Sequence, residues 1–144
     1  MYDYKGTDCE CMNDDLVIEN LIHTFARRVK HNPAINEDFL SYHEEGQKPK
    51  RKDRDNCDFV CKYRGVTTYK VDDTNEASLK AKWANTVRLK PAASRLYCKF
   101  RFAAGAGKAK HTPSHDEECH HTFFKSDDFD IDRRLIILDI ALLV

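Results

Sequence analysis

Apolar residues fall in short clusters between charged stretches, and the spacing inside each cluster is the first guide to structure. Val17, Ile18, Leu21, Ile22, Phe25 and Val29 recur at intervals of one, three and four, which predicts an amphipathic helix. Asn13, Asp14 and Asp15 suit its start, and it should stop at Asn32-Pro33 because the residue before proline is pushed out of helical geometry. A shorter helix is expected next, with Asn36 as N-cap and Gly46 as its left-handed last residue. Leu79, Trp83 and Val87 repeat at helical spacing behind Asp73 and Glu76, which resemble a capping box, so a third helix is expected over 74–88.

Elsewhere the period is two. Leu96, Cys98, Phe100 and Phe102 alternate with Tyr97, Lys99 and Arg101, the cleanest strand in the chain. Phe59, Cys61 and Tyr63 alternate with Val60, Lys62 and Arg64, and Val66–Val71 continues after Gly65, so two strands or one bulged strand are expected from Cys57 to Val71. His120–Lys125 reads as a strand whose expected partner is the one at 96–102, with the Gly/Ala/Lys stretch 103–110 as a mobile connection between them. That connection lacks the spacing of a phosphate-binding P-loop. The tail, Leu135 to Val144, is apolar except for Asp139, as a central strand covered on both faces would be. A buried helix, or an exposed terminus that binds a partner or completes a homodimer, are the other readings. These elements describe one α+β domain over 1–144, with about three helices and a mostly antiparallel sheet of four to six strands. Residues 1–12 are expected to be irregular and 47–56 an exposed basic loop.

Composition narrows the class. With 41% apolar and 10% aromatic residues the chain has enough material for an ordinary core, while a mean hydropathy of −0.69 predicts a very polar surface. The apolar runs are too short to span a bilayer, and the polar first residues lack the apolar stretch of a signal peptide, so a cytoplasmic protein with reduced thiols is expected. Net charge is zero but sorted: −6 over 1–47, +11 over 48–110 and −5 over 111–144. Acidic and basic segments can neutralise one another in the fold, or Lys48, Lys50, Arg51, Lys52 and Arg54 can form a polyanion-binding loop for nucleic acid or nucleotide.

Site chemistry concentrates in Lys110–Lys125, which holds four histidines, a cysteine and three carboxylates. Ser114 and Glu117 have capping-box spacing, and a turn from His115 to Cys119 would put those two on one face, as metal ligands often are. His111 from the loop and His120 or His121 from the strand would complete a zinc site. Glu117 or Glu118 would then be the general base of a metal-dependent hydrolase acting on a phosphodiester or nucleotide. The spacing matches no established zinc motif. A Cys119 nucleophile activated by His115 or His120 is a further option. Cys9, Cys11, Cys57 and Cys61 are read as core thiols, with a closed structural zinc as the rival. The charge sorting, the apolar tail and the lack of a catalytic motif favour a small binding module that works by protein or polyanion contact; no membrane partner is expected.

Overall fold

The computed structural model describes residues 9, 11, 17–18, 22–53 and 56–144. Its strands are β1 (Val17–Ile18), β2 (Thr24–Val29), β3 (Val66–Val71), β4 (Leu96–Phe102), β5 (Gly107–His111), β6 (His120–Lys125) and β7 (Leu135–Leu142). Its α-helices are α1 (Cys57–Arg64), α2 (Glu76–Leu89) and α3 (Ile131–Arg134), with 3-10 turns at Asn36–Phe39 and Arg51–Asp53. All strand pairs are antiparallel, in the order β1-β5-β6-β3-β2-β4-β7. The α+β class, the three helices and the antiparallel sheet agree with the sequence reading, though only α2 is a helix where one was expected.

β2 is the main correction. Residues 24–29 are a central strand, not the end of a helix, and it is buried on both sides. Phe25 and Val29 enter the larger aromatic core with Phe39, Phe100, Phe102 and Phe123, while Ala26 enters a second cluster with Val71, Leu79, Trp83 and Tyr97. A strand covered on both faces loses its alternation, and its apolar spacing then imitates a helix. Of the expected helix before it, Val17 and Ile18 form strand β1 against β5 instead, and 13–16 and 19–21 lie outside the described residues. The helix expected from Asn36 is only a 3-10 turn to Phe39, followed by turns to Gly46.

The sheet curls. Phe102 of β4 and Phe123 of β6 have ring centroids 4.4 Å apart, although β3 and β2 lie between their strands. Flat strands at ordinary spacing would hold those positions roughly 14 Å apart. The larger core fills this concave side, closed by Phe39 from the first 3-10 turn and Ile131 from α3. On the convex side α2 lays Leu79, Trp83 and Val87 over Ala26, Tyr69 and Tyr97, with Trp83 5.0 Å from Tyr69 and 5.8 Å from Tyr97. Beside its N-terminus Asp72 Oδ1 accepts from Thr74 N, and Asn75 Oδ1 accepts from Asp72 N, so Asp72 and Asn75 do the work expected of Asp73. Glu76 instead accepts from the Tyr97 hydroxyl at 2.6 Å and pairs with Lys99, tying the helix to β4.

α1 replaces the strand expected at Cys57–Arg64. Asn56 caps it by accepting from Asp58 N, and one face buries Val60 and Cys61. Cys57 and Cys61 lie one turn apart and form disulfides with Cys9 and Cys11 respectively, each with 5.4 Å between Cα atoms. The core-thiol reading and the structural-zinc alternative both give way to two cross-links, which anchor residues 9 and 11 in a small cluster with Val60 and Phe124. Gly65 follows because β6 runs close: a Cβ there would collide with the Thr122 methyl group.

Three further expectations change. Residues 107–111 are strand β5 rather than a mobile connection, and β6 pairs with β5 and β3, not with β4. The apolar tail is β7, which among the described residues lies at the edge of the sheet rather than in its centre and pairs only with β4. Its register slips between Lys99 and Phe100, where Lys99 faces Asp139 and Phe100 faces Ile137, leaving Leu138 in a bulge.

Candidate functional site

The histidine and cysteine cluster is built on β5, the turn after it and β6. His111 faces His121 across the ladder, with ring centroids 4.8 Å apart. His121 is buried; its Nδ1 donates to the Cys119 carbonyl at 2.9 Å and its ring meets Phe25 edge-on. Burial drives its pKa down to about 4, so at neutral pH it is an uncharged core imidazole. His120 points to the opposite face, donating from Nδ1 to the Thr112 carbonyl and packing on Tyr69. His115 is exposed on the turn. Alternation along β6 therefore separates His120 from His121, and of the five ligand candidates only His111 and His121 stack together. Among the described residues no group of three His, Cys, Asp or Glu side chains is placed to hold a metal ion.

The nearby acids and thiol are also engaged. Glu117 accepts from Cys119 Sγ at 3.2 Å and pairs with Lys82, and these contacts outweigh burial and hold its carboxyl below the usual range. Glu118 is exposed, 3.7 Å from His111 Nε2. Burial and the Glu117 carboxylate push the Cys119 thiol up to about 12, so it stays protonated, the opposite of an activated nucleophile. Ser114 accepts from Glu117 N, as its spacing suggested, but it caps a turn and not a helix. Lys48, Lys50, Arg51 and Lys52 are exposed on the loop before α1, and Arg54 lies outside the described residues.

A different site stands at the open end of the β2–β3 pair. The two strands are laddered from Thr24/Val71 to Ala26/Tyr69 and then part. Arg27 fills the gap: its Nε donates to the Asp38 carbonyl at 2.8 Å and its Nη1 to the Thr67 carbonyl at 2.6 Å, with Phe39 beneath the guanidinium. Asp38, itself buried, accepts from the backbone N–H groups of Lys30 and Ile35 and from His31. The 3-10 turn thereby locks onto the end of β2. Arg28, one residue on, faces the convex side, with its Cζ 5.7 Å from the Trp83 ring centre.

Two adjoining cavities open at this point, one of about 370 Å³ along β2 toward His31 and Asp38, the other of about 220 Å³ between Arg28, Tyr69, Trp83 and Ser94. Sequence reasoning passed over these residues because it placed Arg27 and Arg28 at a helix end and Trp83 in the core. The one available signal was two adjacent arginines inside an otherwise apolar segment. The molecule is thus an α+β protein with a curled antiparallel sheet, an open apolar edge and an arginine-aromatic cleft. Compared with family models, curated proteins and solved structures, the chain matches none of them.

Proposed function

We propose that the chain is a contact module that pairs with a second copy of itself, edge to edge, through β7. The observation that carries this reading is the state of that edge. Among the described residues Leu135–Leu142 has a neighbouring strand on one side only, and Ile136, Leu138 and Leu142 are 43%, 45% and 70% exposed. An open strand of this length offers a row of backbone donors and acceptors, and exposed apolar side chains beside it add area to bury. Antiparallel pairing of two identical edges about a two-fold axis is self-complementary, so one surface serves both roles.

The two disulfides favour an oxidising compartment over the cytosol, where such bonds are unusual. Among the described residues no helix is long and apolar enough to cross a membrane. Sedimentation equilibrium of the oxidised protein at rising concentration tests the pairing. The expected result is a reversible dimer that Ile136→Lys with Leu138→Lys converts to a folded monomer. A wild-type protein that stays monomeric at high micromolar concentration refutes it, and dependence on a different partner chain would appear as a monomer that shifts only in mixture.

A further inference from the structure

We propose that the cleft where β2 and β3 part is a binding site for a small planar organic anion, a carboxylate or phosphate carried on an aromatic ring. Three independent observations meet there. The parting of the strands opens the cavity, and Arg27, spent on the Asp38 and Thr67 carbonyls, holds the gap rather than serving a ligand. Arg28 is the group left over: its Nη1 is buried and has no hydrogen-bond partner among the described residues. A guanidinium N–H without an acceptor is costly. Because this nitrogen is closed to solvent, an anionic oxygen in the cavity that Arg28 lines becomes its acceptor through a turn of the Arg28 side chain toward it.

The remaining wall fixes the rest of the ligand. Tyr69, Thr67 and Ser94 line the smaller cavity, and burial raises the Tyr69 phenol to about 12, so its hydroxyl is a donor at any physiological pH. Among the described residues the charged side chains lining that cavity are Arg27 and Arg28, so the local field favours a negative group. Trp83 and Tyr42 add aromatic surface to the lining, and a volume of about 220 Å³ has room for a single ring with its anionic substituent. The wider cavity along β2 carries Glu37 and Glu45 beside Lys30, so its mixed charge suits the anion less well than the inner one does. The anion therefore belongs against Arg28, with the ring toward Trp83.

Trp83 is the only tryptophan in the chain, so its fluorescence reports this cleft alone. Benzoate, phenyl phosphate and inorganic phosphate are titrated separately into the oxidised full-length protein. Saturable change in Trp83 emission is expected with benzoate or phenyl phosphate, with the tighter of the two identifying the anion, and at least tenfold weaker binding of inorganic phosphate. Arg28→Met should weaken binding by about ten- to a hundredfold, the loss expected for one charge-assisted hydrogen bond pair. Tyr69→Phe, which removes one oxygen and keeps the packing, should weaken it about three- to tenfold and serves if the arginine variant does not fold. Lys52→Ala, on the distant basic loop, should change nothing. No saturable response from either aromatic anion overturns the proposal. So does equal affinity in Arg28→Met and Tyr69→Phe, and inorganic phosphate binding as tightly as phenyl phosphate removes the aromatic half of it.

Discussion

Removing the disulfides one at a time and then together gives a sharp test of how the N-terminal segment is held. Cys9–Cys57 and Cys11–Cys61 span 48 and 50 residues, and they are nearly parallel: two positions apart on one side and four on the other. On the chain-entropy treatment, closing one loop of that length stabilises the fold by about 4 kcal/mol. Once it is closed, the second bridge closes only a small ring of about eight residues, worth about 2.5 kcal/mol. Either pair replaced alone by alanine, Cys9→Ala/Cys57→Ala or Cys11→Ala/Cys61→Ala, should therefore cost about 2.5 kcal/mol, but all four together about 6.5, more than the sum of the two. Urea unfolding of the three variants under non-reducing conditions, followed by circular dichroism with m-values compared, measures each term. Costs that simply add would show that the bridges act locally, through the packing of Val60 and Phe124, and not through a shared loop. Single costs near 4 kcal/mol would show the same.

Other predictions follow from individual side chains. Asp38→Ala leaves the Lys30 and Ile35 N–H groups and His31 without their acceptor, and should cost about 3 kcal/mol in the same urea assay. For His121 the folded pKa of about 4 lies below the unfolded value, so the unfolded state takes up the proton first. Stability should fall as pH drops from about 6.5 toward 4, by about 3 kcal/mol in all, and urea midpoints across that range should lose this slope in His121→Gln. Gly107 has φ of +138°, and a Cβ there would strike the Phe124 carbonyl, so Gly107→Ala should lower the thermal midpoint by several degrees, about 2 kcal/mol or more of strain and displaced pairing between β5 and β6.

How much of this the sequence disclosed depends on how each element is covered. β4 shows its alternation because Leu96, Cys98, Phe100 and Phe102 share one face while Lys99 and Arg101 lie on the other. α2 shows its period because only one stripe of it touches the sheet. β2 conceals its period, since Phe25 and Ala26, adjacent in sequence, are buried in opposite cores. α1 misleads in the other direction: Phe59, Cys61 and Tyr63 alternate in the sequence, yet Phe59 is exposed and the buried pair is Val60 and Cys61, fixed by cross-links that no periodicity encodes. The cleft was still less legible. It depends on two strands parting after Ala26 and Tyr69, a property of pairing between residues more than forty positions apart. The histidine cluster drew attention by composition, but the two-residue alternation of β6 sends its members to opposite faces.

Among the described residues one outer strand of the sheet is β7, and pairing through it limits what can grow from the sheet. That strand is eight residues long and is bent by the extra residue at Leu138. A fibril needs each unit to offer two extendable sides, so that addition at one exposes another. The pairing of two β7 strands proposed above would occupy that edge in both copies at once. Assembly by that contact would be self-terminating, with the exposed leucines and isoleucines of β7 serving a stoichiometry of two rather than open-ended growth.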